Sequence, residues 1–256
     1  MTDSPQSRRH TPLRVTCAHP HQCSHPTRLR ILAQISLFSE LSESELDGID
    51  HRMTALSYAA GDHLYRAGDS ADYLYVVAAG QVKTLQPALN GQDSIVDMLG
   101  PGDLLGGLSV LSQQVYGVTA EALVTTCALR IDTVAFREVL LEHPQVALRA
   151  LDEVTALLQD ARSDTSQRAT STVAQRVATT LLQLAEKFGQ HGVSGDGTLL
   201  QLPLSRADLA AMTGSTPESV SRAMSRLRND GIIDSGRRWT SILDRAKLTA
   251  ISNKGT

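Results

Sequence analysis

A segment running from Ser205 to Gly231 constrains the fold of this 256-residue chain more than any other stretch. Ser205 followed three residues later by Asp208 is a capping box, which predicts that one helix begins here. Gly214 then predicts a short turn, and Thr216 followed by a proline predicts the start of a second helix. Two short helices joined by a tight, glycine-containing turn form a helix-turn-helix.

The second of these helices has two chemically different faces. Val220, Met224 and Leu227 recur at helical spacing and are predicted to pack against the first helix. The opposite, polar face carries Glu218, Ser221, Arg222, Ser225 and Arg226. Residues 205–240 hold six arginines and four acids, a local charge of +2 in a chain whose net charge is −3. An ordinary solvated amphipathic helix is the alternative, but the turn, the capping residues and the local change of sign together favour DNA binding.

Two residues of the polar face have defined partners among the DNA bases. Arg222 can donate two hydrogen bonds to guanine, and Glu218 can accept one from cytosine, each worth ~1–3 kcal/mol of discrimination. Both lie near the start of the helix, the end that contacts bases in this motif. The guanidinium groups of Arg226 and Arg228 are expected to contact phosphates. The predicted DNA interface also includes Ser221, Ser225 and Arg206.

The chain before this segment has a different texture. From Tyr58 to Phe136, glycine turns separate short β-branched and aromatic runs, which predicts a β-sandwich, jelly roll or barrel. The strongest hairpin signal is Asn90-Gly91. A chain of this length predicts about two domains at ~150 residues each. After the helix-turn-helix, residues 231–243 predict two short strands around a glycine, which would form a wing.

Two shorter signals precede the β-rich region. Ser42, with Glu45 three residues on, is a capping box and predicts that a helix begins there. Pro20 and Pro26 argue against a helix in the first 28 residues, which predicts a loop or arm.

A long helix is predicted between the β-rich region and the helix-turn-helix. Its apolar residues alternate at spacings of four and three, the average spacing of a coiled-coil seam. The residues of this seam are Ala147, Leu151, Val154, Leu158 and Ala161. The stripe is narrow and flanked by polar residues, which favours a homodimer interface over a helix lying on its own β-domain.

In this order of elements the chain resembles the Crp/Fnr transcription regulators from about Leu37 to Ser252. The resemblance includes three short sequence motifs: Ala67-Gly-Asp69, Gly102-Asp-Leu-Leu-Gly106 and Gln175-Arg-Val-Ala178. It implies an α+β fold: a cyclic-nucleotide-binding-like β-roll of the jelly-roll type, a dimerisation helix and a winged helix-turn-helix. The expected bounds are 1–28 for a flexible Cys/His-rich arm, 29–140 for the β-roll, 141–168 for the dimerisation helix and 169–256 for the DNA-binding domain.

The resemblance also implies partners and an operator. Partners expected from it are double-stranded DNA, a second copy of the chain and RNA polymerase, in the cytoplasm. Glu218, Ser221 and Arg222 fit the E-x-x-S-R pattern of the Fnr branch, which implies half-sites like TTGAT.

Binding of cAMP is not expected. In the resembling family a Glu follows the glycine of the phosphate-binding turn, whereas this chain has Gly107 there. No Lys or Arg occurs from Thr84 through Leu129 to pair with a phosphate. A buried, unpaired phosphate would cost several kcal/mol.

The three cysteines suggest a redox or gas sensor. Cys17 and Cys23 lie in the arm and Cys127 on a late strand, the distribution that the Fnr branch uses to hold an iron–sulfur cluster. That cluster takes four thiolates, so His19, His21 or His25 would have to supply a fourth ligand. One alternative is a zinc site or haem. The other is an arm without metal and a buried thiol at Cys127.

Catalysis is not expected from this sequence. A jelly-roll metalloenzyme needs several histidines on adjacent strands, and the β-rich region offers His63 alone. No nucleophile elbow or Walker loop is present. No apolar run approaches the ~18 residues of a membrane span, so no membrane partner is expected.

Overall fold

The computed structural model describes residues 23–87, 93–106, 115–168, 171–191 and 197–253. The fold is α+β, as the sequence predicts: a β-roll leads through two helices into a C-terminal domain of helices and a small sheet. None of the helices in these ranges is both long and apolar enough to cross a bilayer.

From residue 23 onward, three helical segments precede the β-roll: α1 (His25–Gln34), the 3-10 helix η1 (Ser36–Phe38) and α2 (Glu43–Asp50). The predicted arm, 1–28, therefore ends too late, because α1 already begins at His25. Pro26, which argued against a helix, lies in the first turn of α1, where its missing N–H has no intrahelical acceptor to lose. The predicted capping box of Ser42 and Glu45 is present at the start of α2.

Within the described part of the β-roll, eight strands form two sheets. One sheet has the order β1-β8-β3-β6 and the other β2-β7-β4-β5. The strands are β1 (Thr54–Tyr58), β2 (His63–Tyr65), β3 (Tyr73–Ala79), β4 (Val82–Gln86), β5 (Ser94–Leu99), β6 (Leu104–Leu105), β7 (Thr119–Ala122) and β8 (Thr126–Asp132). The antiparallel pairing of β4 with β5 fits the predicted hairpin, although Asn90-Gly91 itself lies outside the described residues.

The turn between β3 and β4 requires glycine for two reasons. Gly80 has a φ of +94°, a conformation that residues with a Cβ rarely adopt. A Cβ at this position would also lie 2.5 Å from Oγ1 of Thr126. The close approach brings the start of β8, the central strand of its sheet, against the turn.

Two helices follow the β-roll: α3 (Thr133–Glu142) and the 25-residue α4 (Pro144–Arg168). Asp132 caps α3 by accepting hydrogen bonds from two backbone N–H groups. Val146 and Ala150 bury the start of α4 against the β-roll core. The apolar stripe beyond them is exposed: Leu151, Val154 and Leu158 are 62, 44 and 53% accessible.

The C-terminal domain combines four helices with a four-stranded sheet of order β11-β12-β10-β9. The predicted wing is present as β11 and β12, while β9 and β10 are two strands that the sequence did not reveal. The elements are α5 (Val173–Phe188), β9 (Gly189–His191), β10 (Thr198–Leu200), α6 (Arg206–Thr213), α7 (Pro217–Asn229), β11 (Ile233–Gly236), β12 (Trp239–Ile242) and α8 (Arg245–Ser252).

The β-roll and the C-terminal domain share a contact. Ile95 and Met98 of β5 belong to the apolar cluster of the C-terminal domain. Lys187 at the end of α5 pairs with Asp103 of the β-roll at 3.0 Å. The neighbouring Phe188 ring lies so close to Gly100 that a Cβ there would approach it to 2.7 Å.

Candidate nucleic-acid interface

The helix-turn-helix is built as its capping residues predict. The Ser205 side chain accepts from the backbone of Asp208, whose carboxylate accepts from the backbone of Ser205. Gly214 ends α6 in the left-handed conformation, at φ +56°. The Thr216 hydroxyl accepts from the Ser219 N–H to start α7, with a proline in the first turn.

Arg176, on α5, holds the turn in place. Its Nε donates to the carbonyl oxygen of Thr213 at 2.7 Å, and Nη2 donates to the hydroxyl of Ser215 at 3.0 Å. The remaining nitrogen donates to the Ser171 carbonyl oxygen. A single guanidinium therefore joins α5 to both sides of Gly214. Sequence reasoning missed this role, because nothing in a linear sequence reveals that residues 37 and 39 positions apart meet.

The two predicted faces of α7 are confirmed. Val220, Met224 and Leu227 are buried in the C-terminal core. Glu218, Arg222, Ser225 and Arg226 are exposed and Ser221 is partly exposed. The polar face is thus free along its length in this chain, and four of these side chains, Ser221, Arg222, Ser225 and Arg226, line one shallow depression of the surface.

Glu218 and Arg222 interact electrostatically at the start of α7. The pKa of Glu218 is lowered, first by a hydrogen bond from its own backbone N–H, then by the Thr216 side chain, and further by the positive charge of Arg222. Nη2 of Arg222 donates to the Ser219 hydroxyl at 3.2 Å. These contacts keep the acid ionised and leave the other nitrogens of the Arg222 fork for a further partner.

Arg206 and Arg228 form a cationic pair at the edge of the interface. Burial lowers the pKa of Arg206, and the positive charge of Arg228 lowers it further. Arg206 also donates to the Ser235 hydroxyl of the wing at 3.4 Å. An anion such as a phosphate, bound beside these two arginines, would reduce the repulsion between their positive charges.

The wing carries two more arginines in its turn. β11 and β12 pair up to Gly236 opposite Trp239, so Arg237 and Arg238 form the two-residue loop. Arg238 adopts a φ of +70°, unusual for a residue with a side chain. Both arginines are exposed, which extends the positive surface from α7 to the wing.

The β-roll contains a cavity of about 260 Å³ that suits an anion poorly. Among its lining residues the charged one is Asp97, and Lys and Arg are absent from that set. The rings of Tyr65 and Tyr116 stack with centroids 3.8 Å apart beside it. Gly107, where the resembling family has its Glu, lies outside the described residues.

Two of the three candidate metal-binding cysteines come together. Cys23 and Cys127 approach to 3.0 Å between their sulfur atoms, while Cys17 lies outside the described residues. His19 and His21 also lie outside them, and His25 instead pairs through Nε2 with Asp47 at 2.6 Å. Within the described ranges no group of three or more His, Cys, Asp or Glu residues could hold a metal. With three cysteines in the sequence, the residues do not fit a cluster held by four thiolates.

The predicted dimer stripe lies on one long helix. Ala147 is partly exposed and Leu151, Val154 and Leu158 are exposed on α4. The side chain of Ala161 lies outside the described part of the chain. The β-roll covers the start of α4, whereas the three large residues of the stripe remain exposed among the described residues.

Two family models match the chain. A Crp-like helix-turn-helix domain matches residues 175–251, and a cyclic nucleotide-binding domain matches residues 55–143. Together they cover the two domains described above.

Two named relatives and one solved structure are similar to most of the chain. The transcriptional activator protein FnrA of Stutzerimonas stutzeri is 26% identical over 92% of this chain and 93% of its own length. A protein of Mycobacterium tuberculosis described as a CRP-like cAMP-activated global transcriptional regulator is 24% identical over 79% of this chain and 90% of its own. The structure of FixK2 from Bradyrhizobium japonicum superposes with a TM-score of 0.70 at 27% identity, covering 80% of this chain and 99% of that one.

Proposed function

The chain belongs to the Crp/Fnr family of transcription regulators, and we propose that it binds a palindromic operator as a cytoplasmic homodimer and responds to oxygen, nitric oxide or redox state. The observation that carries the proposal is the division of α7. Its apolar residues are buried, and its polar residues, with Glu218 and Arg222 at the N-terminal end, are exposed together.

Base recognition is assigned to the start of α7. The E-x-x-S-R pattern of the chain implies half-sites like TTGAT. In such a half-site Arg222 donates to a guanine and Glu218 accepts from a cytosine. Arg206, Arg226 and Arg228 bind phosphates, which contribute affinity without reading sequence. The two polar serines, Ser221 and Ser225, lie between these groups on the same face.

Dimerisation is assigned to α4. Its exposed leucines and valine repeat at coiled-coil spacing, and burying them against a second copy removes apolar surface from water. A twofold axis along α4 would present two α7 helices to half-sites about 34–36 Å apart. RNA polymerase is the partner to be expected of such a regulator when bound beside a promoter.

The signal is assigned to the cysteines rather than to a cyclic nucleotide. The β-roll cavity offers Asp97 where a phosphate would need a cation, and the Cys23–Cys127 pair supplies a redox-active group. The match to a cyclic nucleotide-binding domain and the cAMP-activated relative favour a second candidate, a nucleotide-responsive regulator.

The base-reading role is tested by fluorescence anisotropy with a labelled TTGAT palindrome and a scrambled duplex of equal length. We expect Arg222→Ala to weaken binding to the palindrome by about 1–3 kcal/mol, roughly 5- to 150-fold, with little change on the scrambled DNA. Arg66→Ala, an exposed arginine of the β-roll, is the matched control and should change neither. Equal losses on both duplexes would show that Arg222 binds the backbone instead.

The signal is tested on protein purified without oxygen. Calorimetric titration with cAMP should give no heat of binding, and tight binding would favour the second candidate. Analysis of iron, sulfide and zinc beside a visible spectrum determines whether a metal accompanies the cysteines. DNA affinity is then compared before and after exposure to oxygen, nitric oxide and hydrogen peroxide, and equal affinity throughout would contradict the redox or gas response.

A further inference from the structure

Two thiols that are 104 residues apart in sequence meet at the edge of the β-roll. The Sγ atoms of Cys23 and Cys127 are 3.0 Å apart, and neither cysteine is in a disulfide. The separation exceeds the ~2.05 Å of a disulfide bond by about 1 Å. A small side-chain movement therefore suffices to join them.

Cys127 is held by the sheet. It lies on β8, the strand between β1 and β3, opposite Ser57 on one side and Ala79 on the other. The register of β3 shifts beside Ala79, so Cys127 occupies an irregular point of the ladder. The residue is 6% exposed, and reagents dissolved in water reach it poorly.

Cys23 is held by a buried ion pair. Nε and Nη2 of Arg28 each donate to a different carboxylate oxygen of Asp50 at 2.7 Å, and Nη1 donates to the Cys23 carbonyl oxygen at 3.2 Å. The Asp50 side chain is 1% exposed, so this anchor is fixed in the core. The hydrogen bonds that Arg28 donates to Asp50, together with the negative charge of that carboxylate, raise the pKa of Arg28. Arg28 is thus a positioning residue that keeps Cys23 next to Cys127.

We propose that Cys23 and Cys127 are an oxidation site, at which a hydroperoxide converts the two thiols into a reversible intramolecular disulfide. Cys23 is partly exposed and is the thiol that meets the oxidant. Its sulfur attacks the peroxide, whose O–O bond breaks, giving a sulfenic acid and one water or alcohol molecule. The Cys127 sulfur then attacks the Cys23 sulfur, the S–S bond forms and a water molecule leaves. Two thiols are oxidised by two electrons and one peroxide is reduced.

This inference rests on the proposed redox response and gives it a chemical form. A disulfide needs two sulfurs, and the fold brings two together, whereas a cluster would need four thiolates from a chain with three cysteines. The bond would tie the start of α1 to β8, the strand that runs directly into the N-cap of α3 at Asp132.

The test counts thiols on the full chain. Protein reduced without oxygen is freed of reductant, treated with one equivalent of hydrogen peroxide and alkylated, and its mass and peptides are determined. We expect two of three thiols to be lost, a mass decrease of about 2 Da before alkylation, and a peptide linking Cys23 to Cys127. Dithiothreitol should restore all three thiols.

Single substitutions separate this site from other oxidation products. Cys17→Ser should still form the linkage, whereas Cys23→Ser and Cys127→Ser should not. Three remaining thiols after peroxide, a Cys17–Cys23 linkage or a disulfide between chains would overturn the proposal, as would a bound metal that protects both thiols. Where Cys127→Ser fails to fold, Cys23→Ser and the peptide map of the unsubstituted chain decide.

DNA binding is measured separately on the reduced and oxidised protein. A disulfide that forms without changing affinity for the TTGAT palindrome supports the oxidation site and contradicts redox control of DNA binding. Failure of both forms to bind that DNA contradicts the proposed operator and leaves the thiol result valid. The two hypotheses therefore fail through different measurements.

Discussion

Tyr65 lies at the centre of an aromatic group inside the β-roll. Its ring stacks on Tyr116 and lies 5.7 Å from Tyr75, measured between ring centroids. The backbone N–H of Gly106 donates to the Tyr65 hydroxyl at 2.9 Å. Burial raises the pKa of Tyr65 to about 12. The folded state therefore favours the neutral phenol of Tyr65 over the phenolate.

This shift predicts a loss of stability in alkali. The unfolded pKa of tyrosine is about 10, so the contribution of Tyr65 is fully present below pH ~10 and is lost as the pH rises through ~12, to a total of about 2–3 kcal/mol. Urea denaturation followed by circular dichroism from pH 8 to 12 measures it.

Tyr65→Phe provides the comparison, because phenylalanine keeps the ring and cannot ionise. We expect the variant to be somewhat less stable at pH 8, where it lacks the hydrogen bond from Gly106, and to lose less stability between pH 10 and 12. Parallel curves for the two proteins would show that other groups cause the alkaline unfolding.

At the scale of elements, α5 connects the turn of the helix-turn-helix to the rest of its domain. Its buried side includes Val177, Leu181 and Leu184. Arg176, one turn from the N-cap, binds the turn through two hydrogen bonds and the Ser171 carbonyl oxygen through a third. The position of α7 relative to α6 thus depends on a residue outside both helices.

We expect Arg176→Lys to loosen the turn. Lysine keeps the charge but cannot reach the acceptors on both sides of Gly214 with a planar fork. Unfolding should become easier by about 1–3 kcal/mol, and affinity should fall more on the operator than on scrambled DNA, because α7 carries the base contacts. Thermal denaturation and anisotropy measure the two effects.

Arg245→Lys is the matched control for this substitution. Arg245 lies on α8 and pairs with Glu186 at 3.1 Å on the surface, where an ion pair contributes ~0–1 kcal/mol. Unchanged operator discrimination in Arg176→Lys would contradict its role in positioning α7.

Short sequence signals predicted the helices that begin with a capping side chain. Ser42, Ser205 and Thr216 cap helices as expected, since capping involves residues only two or three positions apart. The short strands β9 and β10 escaped detection, because three residues are too few to show alternation. Pro26 was misread as a helix breaker, because its position within the first turn decides its effect.

The candidate site was predictable to a similar degree. The two faces of α7 follow from helical spacing alone, so their residues could be named in advance. The hydrogen bond from Arg176 to Thr213 joins residues 37 positions apart in sequence. The contact between Cys23 and Cys127 joins residues 104 positions apart. Such contacts are set by tertiary packing, on which a single sequence gives no direct information.

At the scale of the whole molecule, α4 offers the surface on which a second copy would pack. Leu151 and Leu158 are more than half exposed and lie on the same stripe. Each leucine buried in a dimer contributes about 1.5–3 kcal/mol, and a twofold axis counts each residue twice.

We therefore expect Leu151→Glu to weaken dimerisation by more than about tenfold, since a charge would be buried at the interface and one decade corresponds to 1.4 kcal/mol. Sedimentation velocity over a concentration series measures the change. Leu141→Glu is the control: Leu141 is 82% exposed and lies on α3, whereas the stripe lies on α4, and the substitution should leave association unchanged. Equal effects of the two substitutions would place the interface elsewhere.

The contact between the β-roll and the C-terminal domain couples the two halves of the chain. Lys83 of β4 lies 3.1 Å from Glu121 of its own sheet and 3.7 Å from Asp208 of α6. Lys187 of the C-terminal domain pairs with Asp103 of the β-roll. Each domain therefore contributes one lysine to an ion pair across the contact. The β-roll therefore contacts the first helix of the DNA-binding motif directly.

The tip of the wing has a practical consequence. Trp239 is the sole tryptophan of the sequence, and its indole lies against Gly236, so closely that a Cβ there would be 2.4 Å from the ring nitrogen. Light emitted by tryptophan in this protein therefore originates at one site, beside the arginine loop that would meet the DNA backbone. The unlabelled protein carries its own optical reporter of operator docking, and a quench or blue shift on adding DNA would record the arrival of the wing.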